Sequence, residues 1–269
     1  MPIPAGTHVL YTVRPGDTLQ AIADAFGTNV PAIVQANALF PPVTDPGLIY
    51  PGQTLLIRLP GMAQQSAVLY TVKPGDSLFR ISNDTSVSVD MLAALNRLQQ
   101  PEMILAGQQL YLPGFVYEVE PGDTLSIIAR RYGTSLGQLV RWNQNRPGLS
   151  PDIIYPGFRL VVPLPFSTNI VAFDPLPASL VAPGQRLAGA ARAFEAVVLY
   201  SIVEDTGRVV TPEQPVMTNA GAPAYGMFEV ALRFDQTPVY PTGRILVYTR
   251  SANDGSVQDA IEIPISFSY

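Results

Sequence analysis

Hydrophobic and polar positions alternate in three stretches of the chain: VLYTV from Val9, VLYTV from Val68 and FVYEV from Phe115. A period of two is that of a half-buried strand. One residue after each stretch comes Pro-Gly-Asp, and the Pro-Gly pair ends the strand. Asp17, Asp76 and Asp123 then precede an apolar run of helical spacing, the place of a helix N-cap. In the third copy Leu125, Ile128 and Ala129 fall at i, i+3 and i+4, one face of a helix. Gly27-Thr28 and Gly133-Thr134 break that helix in copies one and three, and a second short helix follows, such as Leu136 to Trp142. Each copy closes on a matching strand-like segment, IYPGQTLLI from Ile49, ILAGQQLYL from Ile104 and IYPGFRLVV from Ile154. The closing strand is expected to pair beside the opening one.

The copies hold register. Tyr11, Tyr70 and Tyr117 lie 59 and 47 residues apart, and the Gly of each Pro-Gly-Asp precedes a later Asn by 21 residues every time: Gly16 to Asn37, Gly75 to Asn96, Gly122 to Asn143. Only the stretch between that Asn and the closing segment varies in length, as a surface loop does. Three strand-helix-helix-strand units are expected over 8–60, 68–113 and 114–163. A small, polar, mobile linker is expected at 61–67. Only Pro113-Gly114 separates units two and three, which are expected to pack together. Units of about 45–50 residues bury little surface and are marginal alone.

After a second linker at 164–171 the pattern changes to short runs of period-two character. Strands are expected at Arg186–Ala193, Val197–Val203, Val209–Val210, Phe228–Phe234, Arg244–Tyr248 and Ile261–Phe267, with turns at 204–207, 219–226 and 253–256. About seven short strands in about 100 residues indicate an antiparallel β-sandwich over 172–269. The fold class is therefore multidomain, α+β repeats followed by an all-β domain.

Composition narrows the chemistry. The chain has 269 residues, 47% hydrophobic, enough to bury cores, and no cysteine, which removes disulfides, thiol nucleophiles and cysteine-ligated metals. A single histidine, His8, removes poly-histidine metal sites. His8 is expected at an edge before the first strand. The net charge of −5 argues against nucleic acid and anionic membrane as partners. No stretch approaches the ~20 apolar residues of a membrane span. Met1–Leu10 lacks a positive n-region and an apolar h-region, so no ordinary export signal is expected there.

With their later Asn and closing segment, YTVRPGDTLQAIADAFGT, YTVKPGDSLFRIS and YEVEPGDTLSIIARRYGT resemble the LysM family over about 8–163. The resemblance implies three βααβ modules that bind N-acetylglucosamine-containing glycans, namely peptidoglycan, chitin and related oligosaccharides. The implied cleft lies between the loop after strand one and the loop before strand two. Carried onto this chain, the first loop is Gly16, Asp17, Thr18 and Leu19 in module one, Gly75, Asp76, Ser77 and Leu78 in module two, and Gly122, Asp123, Thr124 and Leu125 in module three. The second loop supplies Gly47, Leu48 and Ile49, then Met103 and Ile104, then Asp152, Ile153 and Ile154. A shallow cleft with main-chain donors and acceptors and an apolar floor suits an acetamido sugar, and glycine lets the backbone approach closely. The Asp both caps its helix and is available to the sugar. Module two departs most from the pattern. It has Ser77 for Thr, Thr85-Ser86-Val87 for the Gly-Thr turn, Ala106 for Pro, and the shortest closing loop.

GAARAFEAVV, NAGAPAYGMFEVAL and RSANDGSVQDAIEIPI, over about 172–269, resemble the immunoglobulin-like domain of bacterial spore germination proteins, Gmad2, with Tyr225 where that family more often has Trp. This implies a fold and an association with spore formers. The sequence thus reads as a non-catalytic glycan binder without cofactor or metal, located at the cell wall, outside the cell or in a spore envelope. Its sandwich is left for a protein partner, and the alternative reading is a structural protein–protein interaction component of the spore or envelope, with an accessory wall hydrolase behind it.

Rival readings are weaker. Trp142 could be a sugar platform, yet it lies on the second helix just before Asn143, which favours packing. Asn253, Asp254, Gly255 and Asp259 could suggest calcium, but the triplet is first a turn former. Glu195, Glu204, Asp205 and Glu229 are the carboxylates a glycosidase would need, and no glycosidase motif surrounds them. Module three carries a net charge of +1, read as a solvated helix face beside the alternative of contact with anionic wall polymer.

Overall fold

The computed structural model describes residues 3–40, 44–45, 47–61, 66–150 and 153–268. The chain forms two compact units, Met1–Ala129 with Ser135–Pro163, and Arg130–Thr134 with Leu164–Tyr269.

The first unit holds the three repeats. Module one runs β1 (Gly6–Thr12), α1 (Leu19–Ala25), α2 (Val30–Ala36), β2 (Thr54–Arg58). Module two runs β3 (Ser66–Thr71), α3 (Leu78–Thr85), α4 (Val89–Leu95), β4 (Gln109–Leu112). Module three runs β5 (Gly114–Glu118), α5 (Leu125–Arg131), α6 (Leu136–Trp142), β6 (Arg159–Pro163). Helices of seven or eight residues are too short to persist by propensity. They hold because their apolar stripes close on the strands. In module one Leu19, Ile22, Ala23 and Ile33 pack with Leu55 and Ile57.

The opening and closing strands pair antiparallel in every module, as with Val9 opposite Ile57, Leu69 opposite Tyr111 and Val116 opposite Val161. A second pairing joins modules. β1 and β3 run parallel, Val9 opposite Leu69, so modules one and two share one four-stranded sheet in the order β2-β1-β3-β4. β3 begins at Ser66, inside the stretch read as a linker.

The shared sheet corrects the reading of His8. It sits within β1, an inner strand, and is fully buried. Its Nδ1–H donates to the Gly6 carbonyl at 3.1 Å. Burial first, then the guanidiniums of Arg159, Arg58 and Arg146, lower its pKa to about 4. The unfolded chain therefore takes up a proton below about pH 6.5 that the native state refuses until about pH 4. The stability this residue contributes is whole above pH 6.5 and falls by roughly 3 kcal/mol between 6.5 and 4. His8→Leu is expected to remove this component. Urea midpoints of the two proteins, compared at pH 7.5 and 4.5, measure it.

Module three docks on the other two. The Trp142 indole Nε1–H donates to Thr85 O (2.8 Å), Val116 N to Ser66 Oγ (2.9 Å) and Thr54 N to Asn145 O (2.8 Å). Arg146, 4% exposed, donates to Asn37 Oδ1 at 3.2 Å and lies 5.2 Å over the Phe158 ring. Burial lowers its pKa to about 9. Packing of modules two and three agrees with the two-residue seam between them. Burial of Trp142 agrees with its reading as a packing residue.

The second unit is a two-sheet sandwich. Its strands are β7 (Ile170–Asp174), β8 (Ser179–Val181), β9 (Arg186–Ala191), β10 (Val197–Glu204), β11 (Val209–Met217), β12 (Gly226–Ala231), β13 (Thr242–Arg250) and β14 (Val257–Phe267). The sheets run β12-β9-β7 and β11-β10-β13-β14-β8. The core between them includes Ile170, Leu187, Tyr200, Ile202, Phe228, Ile245, Val247 and Ile263. A Cβ on Gly189 would lie 2.2 Å from Val171 O and 2.5 Å from the Phe228 ring, so only glycine fits there. β11 runs on through Pro212 and Pro215 where only Val209–Val210 was expected. It is an edge strand, which tolerates proline.

Candidate functional site

Module three shows an open groove of about 500 Å³ lined by Asp123, Thr124, Leu125 and Ser126 on one side, Ile153 and Ile154 on the other, and Leu136 at the start of α6. The structure thus brings both expected loops of this module together. Ile153 and Leu136 present apolar surface, 56% and 44% exposed, while Leu125 is buried and ties the groove to the module core. Asp152 lies outside the described residues, as do Pro46 and Pro151. Ser126 and Leu136 were not foreseen. The signal was available, since both sit in first helical turns that open beside the first loop.

The first loop is built alike in all three modules. Gly16, Gly75 and Gly122 adopt φ of +88°, +84° and +89°, a left-handed conformation that glycine takes without strain. The Asp that follows does not cap the helix. Asp17 Oδ2 accepts from the Tyr11 hydroxyl (2.7 Å) and Arg14 N (2.8 Å), and Asp76 Oδ2 from Tyr70 (2.6 Å) and Lys73 N (3.0 Å). Asp123 Oδ2 accepts from the Tyr117 hydroxyl and from Glu120 N (2.9 Å). The carboxylate is folded back on its own turn, and capping passes to the next residue. Thr18, Ser77 and Thr124 accept from the backbone N–H of Ala21, Arg80 and Ile127. Burial and the bond to Asp17 raise the Tyr11 pKa to about 12, and burial and Asp76 raise that of Tyr70 further. The repeated Tyr and Asp therefore form a neutral hydroxyl–carboxylate lock that sets the loop.

In module one Gly47 and Leu48 are exposed, Leu48 at 50%, and Ile49 packs partly against the core with Leu19. In module two Leu78 is buried, Ile104 half-buried and Met103 exposed. The later Asn ties the second helix to the closing strand. Asn37, Asn96 and Asn143 each bridge the last turn of the second helix to both backbone groups of one residue in the closing strand, Leu56, Tyr111 and Val161 respectively. Module two breaks the pattern at its helix end. Ser86 takes the left-handed position, φ 61°, that Gly27 and Gly133 fill, at a cost of about 1 kcal/mol.

The carboxylates of the sandwich are engaged structurally. Glu204 is buried and accepts from Val239 N (2.7 Å), Thr206 Oγ1 and Arg208 Nη1. The backbone N–H of Val239 chiefly holds its pKa low. Glu229 pairs with Arg186 at 3.2 Å. Asp254 accepts from Ser256 within its turn, while Asp259 accepts from Asn169 N. Among the described residues no cluster of His, Asp or Glu is arranged to hold a metal, and no helix is long and apolar enough to cross a membrane.

Comparison with known proteins fits this geometry. The LysM domain family model matches residues 11–58, 70–113 and 117–163, together just over half of the chain. The family described as the immunoglobulin-like domain of bacterial spore germination, Gmad2, matches 169–256. An autolysin of Enterococcus faecalis is 28% identical over 194 residues, 59% of this chain and 25% of the relative. N-acetylmuramoyl-L-alanine amidase sle1 of Staphylococcus epidermidis is 30% identical over 183 residues, 59% of this chain and 53% of the relative. The secreted LysM effector ECP6 of Passalora fulva is 29% identical over 185 residues, 58% of this chain and 78% of the relative. The chain thus spans a quarter of the first of these relatives and about half of the second. With three matched modules that share one loop lock and one asparagine bridge, the chain belongs to the LysM family and carries a Gmad2 immunoglobulin-like domain after its repeats.

Proposed function

We propose that the repeat unit binds N-acetylglucosamine-containing glycan, peptidoglycan or chitin, through Gly16–Leu19 and Gly47–Ile49, Gly75–Leu78 with Met103 and Ile104, and Gly122–Leu125 with Asp152–Ile154. The observation that carries this reading is the open groove of module three, lined by Asp123, Thr124 and Leu125 on one side and Ile153 and Ile154 on the other, with Ile153 on its exposed lip. An acetamido group has one N–H, one C=O and one methyl, and a main-chain loop beside an apolar lip complements all three. Binding here is without catalysis. The immunoglobulin-like domain is the cargo, held at a cell wall or spore envelope and offered to a protein partner. The modules taken as 8–60, 68–113 and 114–163 act on one polymer. The curated relatives named autolysin and N-acetylmuramoyl-L-alanine amidase support a wall polymer as ligand.

Sedimentation of the full chain with purified peptidoglycan and with chitin tests the proposal. Ile153→Asp places a charge on the groove lip at an exposed position, where folding tolerates it. Retention is expected to fall about tenfold, because one of three linked contacts is lost. Failure of the unaltered chain to sediment with either polymer overturns the proposal.

A further inference from the structure

Module two departs from its neighbours at the positions that line the module-three groove. The repeat register equates Gln20, Phe79 and Ser126, and likewise Ala21, Arg80 and Ile127. Ser126 lines the module-three groove, and in module two that place holds Phe79, 65% exposed. From the second loop Met103, at the position of Ile153, is 63% exposed, and Leu105 is 70% exposed. Leaving large apolar side chains in water forgoes the stabilisation of burying them. The same turn differs in its polar groups. Arg80 Nη1 donates to Gly75 O at 3.1 Å, so the first-loop carbonyl is engaged by the chain's own guanidinium. Modules one and three have Ala21 and Ile127 there, which carry no side-chain donor.

A hexosamine ring has a polar edge of hydroxyls and acetamide and an apolar face of carbon–hydrogen bonds. A loop with an engaged carbonyl is poorly suited to the acetamide, whereas an exposed aromatic ring at the register position of a groove-lining residue suits the face. Stacking on the face is indifferent to the substituent on nitrogen. If that nitrogen is a free ammonium, the aromatic quadrupole attracts it as well. Resting on the glycan reading above, we propose that module two stacks a hexosamine ring on Phe79 and accepts glucosamine units that lack the N-acetyl group, which modules one and three reject.

Backbone amide spectra of the full chain, titrated with a chitin pentasaccharide and with its fully deacetylated counterpart, test this. Both oligomers are expected to shift amides at 75–79 and 103–105, and only the acetylated one those at 122–126. Phe79→Ala is expected to weaken the module-two response to both about tenfold, while Phe79→Trp retains it. A module-two response confined to the acetylated oligomer, or one untouched by Phe79→Ala, overturns the proposal. A module-two response without one from modules one and three overturns the acetamide reading of those modules and leaves this one standing. Silence of all three modules toward both oligomers overturns both.

Discussion

Asn143→Ala is expected to destabilise the repeat unit by about 4 kcal/mol. The carboxamide donates to Leu139 O (2.8 Å) and Val161 O (2.7 Å) and accepts from Val161 N (2.8 Å), and Asn143 is buried. Alanine leaves two carbonyls and one amide without their partner. Each buried group so stranded costs about 1–3 kcal/mol. Three such groups sum to about 3–9 kcal/mol, and partial relaxation places the loss near the lower end. Asn143→Asp is the sharper control. It keeps an acceptor for Val161 N but loses both donors and brings a charge inside, so it should be at least as damaging at pH 7 and recover in part in acid. Urea unfolding followed by Trp142 fluorescence reads both variants. A loss under 1 kcal/mol for Asn143→Ala would show that the bridge carries no weight.

Trp142→Ala is expected to cost about 4–5 kcal/mol. The indole is 5% exposed, and its Nε1–H meets Thr85 O at the end of α3, in the neighbouring module. Gly114 lies directly beneath, where a Cβ would stand 2.6 Å from the ring. Truncation therefore opens a cavity at the start of β5 and strands a buried carbonyl in module two. The two losses fall in different modules, which gives the prediction its signature. Amide hydrogen exchange should quicken in α3 as well as in module three. Exchange confined to module three would mean that the docking contact is incidental.

Much of this was legible in the residues. The period-two runs, the Pro-Gly-Asp turns and the constant Gly-to-Asn interval located the strands and the helices, and the resemblance to the LysM family pointed to both loops of the module-three groove. The roles within that frame were harder to read. Asp17, Asp76 and Asp123 looked like N-caps because a carboxylate before an apolar run caps well, and nothing in the spacing told that Tyr11, Tyr70 and Tyr117 would claim it. The Asn interval was visible without its purpose, since its partners lie 15 to 19 residues further on. The parallel β1–β3 pairing had no local signal at all. It joins different repeats, and a pairing between copies leaves no period in either. His8 was misplaced for the same reason. β7 and β8 escaped because five and three residues carry too little alternation. Phe79 follows buried Leu78, and nothing in the local pattern marks it as exposed.

The sheet that modules one and two share has a mechanical meaning. Recognition elements strung on slack tethers find a polymer one after another, and tether length sets how readily the next contact forms. Here the first two elements are welded by a backbone ladder and the third is pinned to them through Trp142 and Arg146. Their separations are those of a caliper with its jaws fixed. Such an instrument measures the thing it holds. Under the proposed function it is expected to hold a glycan whose sugars fall at the right intervals more tightly than one that is stretched, crumpled or cut too short.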